Sequence, residues 1–346
     1  MAYAQKALVI TDIGQPVVLV HDHAIPEPGP NQVQIKVTVA GLNPHDGKSR
    51  DAGLFISQSL PAVLANDVVG KVVKVGQGVA GITIGDRIVS QAVFAPGSLQ
   101  NGLQEYALAA VGSMAKVPDS ITDDEAATLP TNIIAPLVAL FKVLEIPAPW
   151  SPTAEDFDYV NASILIVGGG SNCGKFSVQL AKLAGIGRII VVGGNESELN
   201  GFGATHVIDR HAGYDVVLGR VREMVGDDLI YAFDSVNPPD GQILALNALS
   251  SHKRGTLARL LPLGPIDESK VLGKKAGFDV RNVFGSSQVH PELAGPFWER
   301  VPEYLEAGKL KSLPYVVKHG LEAGYVNEVL DAYRDGNSVF KTHIHL

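Results

Sequence analysis

Residues 163–184 read SILIVGGGSNCGKFSVQLAKLA. A short, fully apolar run, Ser163–Val167, enters the cluster Gly168-Gly169-Gly170-Ser171-Asn172-Cys173-Gly174, and an amphipathic helical pattern, Phe176–Ala184, leaves it. Glycines let a backbone approach a pyrophosphate closely, and a helix start offers N–H donors and positive partial charge. The spacing is not a strict G-x-G-x-x-G, because the last glycine comes one residue later. The context strengthens the signal: strand before, helix after, and a second apolar strand at Arg188–Val192 (RIIVV). Gly168, Gly170, Ser171, Asn172, Cys173 and Gly174 are therefore expected to bind a dinucleotide. The end of the second strand bears on which one. An NAD site usually carries Asp or Glu there, about 20 residues past the glycines, for the ribose 2′-hydroxyl. This chain has Gly193-Gly194-Asn195, with Arg210 beyond the third strand. No carboxylate repels a 2′-phosphate, and Arg210 can supply positive charge, so NADPH is expected over NADH.

Outward from this turn the pattern alternates. Ala204–Ile208, Leu229–Phe233 and Leu257–Leu261 are further apolar strand candidates, with helical segments between several of them. Such alternation predicts a parallel sheet covered on both faces. The first third differs. In Gln32–Ala40 (QVQIKVTVA), Val33, Ile35, Val37 and Val39 alternate with polar residues, as in a half-buried strand. Ala7–Ile10, Val17–Val20, Val68–Val75 and Asp86–Val93 are strand candidates separated by turn residues, which suggests a small barrel. Near Thr122 the texture turns helical (TDDEAATLPTNIIAPLVALFKVL), and two more helical stretches follow Pro291 before a final strand, Phe340–Ile344.

With 346 residues and roughly 100–200 per domain, two domains are expected. The chain is 46% hydrophobic and 18% charged, enough for buried cores. Its 28 Lys and Arg against 36 Asp and Glu give a net charge of −8, which argues against nucleic-acid binding. No run of about 18 apolar residues without charges or breakers is apparent, so no membrane span is expected. The start, MAYAQKALVITDIGQP, lacks a signal-peptide core. Cys173 is the single cysteine, so an intramolecular disulfide and a Cys-rich metal knuckle are excluded. A reducing, cytoplasmic setting fits.

The chain resembles the medium-chain dehydrogenase/reductase superfamily over nearly its whole length. The landmarks occur in order: GLNPHDGKSRDAG (41–53), LPAVLANDVVGKVVKVGQGVAGITIGDRIV (60–89), GLQEYALA (102–109), AATLPT (126–131), the glycine turn, GATHVID (203–209), LIYAFDSVN (229–237) and the terminal FKTHIHL. Within the superfamily it looks like the zinc-independent quinone oxidoreductases and enoyl reductases, especially fungal reductases, including trans-acting ones that partner polyketide synthases. The resemblance implies an α/β fold: a GroES-like β-barrel catalytic domain (1–127 and 288–346) joined to a Rossmann doubly wound parallel sheet that binds NADP (128–287).

Departures from the family pattern bear on the chemistry. Zinc-dependent members carry a Cys before the first motif's Gly-His, and Gly-His-Glu in the second. Here those places read Leu42-Asn43-Pro44 and Ala65-Asn66-Asp67, and the four-Cys lobe is absent. Zinc needs three or four N, S or O ligands at about 2.0–2.3 Å, so no zinc is expected. His21/His23 and His343/His345 are i, i+2 pairs that would share a strand face. Without nearby acids they read as polar surface. The resemblance places Asn43, Pro44, His45 and Asp46 in a loop beside the nicotinamide. Asn43 would orient cofactor or substrate, His45 could donate a proton, and Asp46 would order the loop. The tyrosine donor of mitochondrial-type enoyl reductases has no counterpart in Asp51-Ala52-Gly53-Leu54-Phe55. The proton could then come from water. Thr131, Asn132, Phe284 and Ser286 would line the substrate site, and Lys341 matches a family lysine that reaches the cofactor.

The expected function is NADPH-dependent, metal-free hydride transfer to the activated C=C of an enone, enoyl compound or quinone. A trans-acting enoyl reductase for a polyketide on a carrier domain is one alternative. A non-catalytic NADPH-binding sensor or structural protein is another. Monomer and homodimer both remain open.

Overall fold

The computed structural model describes residues 4–94 and 97–346; Met1–Tyr3 of the N-terminal stretch and Ala95-Pro96 lie outside the described residues. The chain forms two compact units, Met1–Thr131 with Ser286–Leu346, and Asn132–Gly285.

The first unit opens with strands β1 (Ala4–Ile10), β2 (Val18–Ala24) and β3 (Gln32–Leu42). Helix α1 (Pro44–Ala52), β4 (Ala62–Val63), β5 (Asp67–Val75), β6 (Arg87–Gln91), β7 (Tyr106–Ala110), β8 (Met114–Lys116) and α2 (Asp123–Ala127) follow. The expected alternation in β3 holds: Val33, Ile35, Val37 and Val39 are buried and Lys36 is exposed. Gln34 is buried too, because its amide donates to Pro26 O at 2.6 Å. The inward side chains of β3 pack with Val68, Val72 and Ile88 into one apolar cluster.

Of residues 43–46, expected in a loop, Pro44 to Asp46 form the first turn of helix α1. Pro44 stands at its first position, where a missing N–H costs nothing. Asp46 Oδ2 reaches back to accept from Asn43 N at 2.8 Å. Such a carboxylate cap on the helix start is worth about 1 kcal/mol. The stretch beginning at Thr122 is likewise split. Thr122 caps α2 by accepting from Glu125 N at 3.1 Å, and Pro130 then restarts the chain as α3 (Pro130–Val138). The run Asp123–Val143 is long and apolar enough by composition to cross a bilayer, though acidic residues, Lys142 and two prolines lie within it. However, 83% of its apolar window is buried inside the protein, as in a core helix.

The second unit contains β9 (Ser163–Val167), α4 (Asn172–Ala184), β10 (Arg188–Val192), α5 (Glu196–Phe202) and β11 (His206–Ile208). It continues through α6 (Tyr214–Val225), β12 (Tyr231–Asp234), α7 (Pro239–Ala248), β13 (Gly255–Arg259) and β14 (Phe278–Asn282). The sheet order is β11-β10-β9-β12-β13-β14, every neighbouring pair parallel. Chain order reverses between β9 and β12. Loops from their carboxyl ends therefore diverge and leave a crevice, the place where such sheets bind ligands.

The chain returns to the first unit with α8 (Pro291–Glu306), β15 (Tyr315–His319), α9 (Ala323–Arg334) and β16 (Lys341–His345). There β16 pairs antiparallel with β3, Thr342 opposite Leu42 and His343 opposite Gly41. On its other side β3 pairs with β5, Gly41 opposite Asp67. This register brings residues from sequence positions 41–46, 65–67 and 341 to one end of the sheet.

Candidate active site

In the second unit, the glycine turn is preformed by its own hydrogen bonds. Gly168 and Gly169 N both donate to Val192 O, at 3.0 and 3.2 Å. Ser171 caps α4: its Oγ accepts from Gly174 N at 2.9 Å and donates to Gly168 O at 2.9 Å. A Cβ on Gly174 would lie 2.2 Å from Gly168 O, so only glycine lets the helix start pack on the strand end. At the end of β10, Gly193 and Gly194 adopt φ of +81° and +94°. A Cβ on Gly194 would sit 2.8 Å from Gly170 N, and one on Gly193 would sit 3.3 Å from Arg210 Cδ.

These strand ends bound a cavity of about 520 Å³, lined by Gly168, Gly170, Ser171, Gly193, Gly194, Arg210, Tyr214 and Asn237 among others. The donor chemistry and the missing side chains fit a dinucleotide: bare backbone, the positive end of α4, and one guanidinium on the wall. Asn172 and Cys173 occupy the first turn of α4, and Gly174 serves packing. Asn195 caps α5, accepting from Glu198 N at 2.9 Å. The sequence reading missed Tyr214, Asn237 and Asp234. Asp234 accepts from Val236 N at 3.1 Å and from Asn237 N at 2.8 Å, which shapes the loop after β12. Burial pushes its carboxyl above the ordinary range despite these bonds.

In the first unit the structure gathers Asn43, His45, Asp46, Thr131 and Lys341 around Asn66 and Asp67. Asp67 Oδ2 accepts from the Lys341 ammonium and from Asn43 Nδ2, the latter at 2.9 Å. Its Oδ1 accepts from Thr131 N at 2.7 Å. Burial alone would raise this carboxyl. The Lys341 charge and the bonds from Lys341, Thr131 and Asn43 outweigh it and hold Asp67 below the usual range. Lys341 also donates to Asn43 Oδ1 at 3.0 Å and Leu42 O at 3.3 Å. Asp46 spends its second oxygen on Ala65 N at 3.0 Å. Both its carboxylate oxygens thus hold backbone, the loop-ordering role expected of it, though the backbone it orders is helical.

The tautomer of His45 follows from its neighbour. Asn66 Nδ2 donates to Ala92 O at 3.1 Å, so Asn66 Oδ1 faces His45 Nε2 at 2.9 Å as an acceptor. Nε2 therefore carries hydrogen, and Nδ1 is the nitrogen left to exchange a proton. The ring stands edge-on to Phe55 and Phe94, centroids 6.5 and 5.3 Å away.

The four expected substrate residues divide between the units. Thr131 and Ser286 belong to the first, Asn132 and Phe284 to the second. Phe284 is 41% exposed, while Asn132 and Ser286 are buried. Ser286 Oγ contacts Gln288 Oε1 at 3.3 Å. Its neighbour Ser287 is pinned by Gln91 Oε1 at 2.8 Å and by Trp298 Nε1 at 3.0 Å.

Zinc does not fit the donors at residues 43, 66 and 67. Their amides and carboxylate are already engaged, and a buried ammonium beside them would repel a dication. Among the described residues no group of three or more His, Cys, Asp or Glu side chains is placed to hold a metal ion. The reading of His343 and His345 as polar surface without a nearby acid is corrected. His343 is fully buried, and both imidazoles reach Asp124, each at 2.9 Å. The pair shares a face, as strand parity requires, and α2 supplies the carboxylate.

Residues 29–119 match the family model for the alcohol dehydrogenase GroES-like domain. The dehydrogenase orsE of Emericella nidulans is 30% identical, over 94% of this chain and 95% of that protein. The trans-enoyl reductase fsr4 of Gibberella fujikuroi is 28% identical, over 88% of each. Among solved structures, an alcohol dehydrogenase superfamily protein from Novosphingobium aromaticivorans superposes with a TM-score of 0.77 at 22% identity, covering 99% of both chains.

Proposed function

Because the chain belongs to the medium-chain dehydrogenase/reductase superfamily, on its enoyl reductase branch, we propose that it is an NADPH-dependent reductase of activated C=C bonds. The observation that carries the cofactor half is the glycine-walled cavity after β9 and β10 with Arg210 on its wall. Arg210 would hold the 2′-phosphate, and the α4 N-terminus the pyrophosphate. Bound there, NADPH supplies a hydride for the β-carbon of an α,β-unsaturated carbonyl, or for a quinone.

The chain's own residues have separate tasks. Buried Asn43 and Asp67 and half-buried Thr131 form a fixed frame. Asp46 secures the start of α1. His45 in its imidazolium form would offer a proton at Nδ1, because Asn66 Oδ1 holds Nε2–H. Protonating the reduced acceptor needs one such donor or a water. No tyrosine is required for this, and zinc takes no part. Lone Cys173 suits a reducing compartment such as the cytoplasm.

A second reading rests on the relatives named trans-enoyl reductases: the acceptor is a polyketide thioester on a synthase carrier domain. Stopped-flow consumption of NADPH should be followed with an enone, a naphthoquinone and an acyl-carrier thioester. Deuterium from 4-deuterated NADPH should appear at the β-carbon of the product. Turnover confined to the thioester selects the second reading. Tight NADPH binding with no turnover of any acceptor refutes both and leaves a sensor.

A further inference from the structure

The buried Lys341–Asp67 pair is built into the first unit by register. Gly41 lies opposite both His343 and Asp67, and a Cβ on it would stand 3.0 Å from Lys341 Nζ and 3.1 Å from Asp67 Cβ. Glycine at 41 is thus what makes room for the pair. The two side chains are 1% and 0% exposed. Lys341 spends its ammonium on three protein acceptors, Asp67, Asn43 Oδ1 and Leu42 O. A side chain so engaged does not reach out to a ligand. Its effect passes through what it holds. Asp67 in turn fixes Thr131 N, while the Thr131 hydroxyl is buried with no hydrogen-bond partner in the structure. A buried hydroxyl held in place and left unpaired costs free energy unless a ligand atom completes it.

We infer that Lys341 is a positioning residue: its buried ammonium is a resident cation that holds Asn43 directly and Thr131 through Asp67 in the geometry turnover needs. This rests on the reductase reading above, and it replaces the expectation that Lys341 touches the cofactor. Removing the ammonium leaves Asp67 an uncompensated buried anion and frees the start of α3 to shift.

The test uses the full chain and the variants Lys341→Met, Lys341→Ala and Asp67→Asn/Lys341→Met. Each single variant should lose about a hundredfold in kcat while the Kd for NADPH, read by fluorescence quenching, moves less than about threefold. Methylammonium should restore about tenfold of kcat to Lys341→Ala, where space is vacated, and none to Lys341→Met. The double variant, with the buried Lys341–Asp67 charge pair removed, should melt like the parent protein yet stay slow. A Lys341→Met enzyme within about threefold of the parent kcat overturns the inference, as does a fully active double variant. A Kd for NADPH raised about tenfold with unchanged kcat restores the cofactor contact instead. If the parent protein reduces none of the acceptors, the reductase reading fails. Thermal melting then decides the cation site by itself: methylammonium should raise the melting temperature of Lys341→Ala and leave the parent unchanged. No shift in the variant overturns the site.

Discussion

Gly169 and Gly170 are adjacent, yet alanine should act on them in opposite ways. A Cβ on Gly169 would lie 2.3 Å from Val191 Cγ1 and 2.5 Å from Gly193 O. That carbonyl cannot retreat easily, since Gly193 N is itself tied to Ile208 O at 2.9 Å. Overpacking against fixed backbone costs about 2 kcal/mol. In a domain of this size that lowers the melting temperature by about 5 °C. A Cβ on Gly170 would meet nothing nearer than Gly194 Cα at 3.4 Å, ordinary contact. Gly170→Ala should therefore melt within about 1 °C of the parent. Its methyl group stands on the cavity wall, where a pyrophosphate would need bare backbone. A displaced phosphate contact worth about 1.4 kcal/mol weakens NADPH tenfold. Differential scanning fluorimetry of the apoproteins and titration with NADPH separate the two effects. A Gly170→Ala protein that binds NADPH as tightly as the parent would refute the assignment of this cavity to the dinucleotide. A Gly169→Ala protein with unchanged melting would refute the packing argument.

Arg210→Ala should weaken NADPH by about tenfold to a hundredfold, the worth of a charge-assisted hydrogen bond, and leave NADH nearly unchanged; equal losses for both nucleotides would remove Arg210 from 2′-phosphate recognition. His343 offers a test by pH. Burial holds its imidazole below the ordinary 6.5, against the hydrogen bond it gives to Asp124 and with the Lys341 charge adding to the lowering. Below about 6.5 the unfolded chain then binds a proton that the folded chain refuses, so stability falls as pH drops through that range. Urea denaturation of the parent between about pH 7 and pH 5 should show this slope, and His343→Asn should flatten it. An equal slope in the variant would assign the effect to other groups.

The legible parts of the sequence were those whose signal is local. The apolar runs at 163–167 and 188–192 with glycines between them could become little other than a parallel sheet with a ligand turn. Alternation in residues 32–40 likewise announced a half-buried strand. The stretch at 44–52 was not legible as a helix, because PHDGKSRDA has almost no apolar stripe. It folds through end effects instead: Pro44 at the first turn, Asp46 reaching back, and Gly53 in the left-handed region at its close. Strands β7, β14 and β15 were missed for a related reason. β7 pairs with the distant β3, and β14 and β15 are edge strands whose residues are mostly half-buried, so neither an apolar run nor a clean alternation marks them.

Sequence by itself determined the two-part α/β architecture and the carboxylate-free end of β10, because each depends on which residue types are present at local spacing. Only the tertiary structure decided what those residues touch. The pairing register of β16 with β3, and of β3 with β5, buries Lys341 against Asp67 and sets two histidines on Asp124. Register is a long-range choice made by strand pairing across some 300 residues of chain, and no local pattern encodes it.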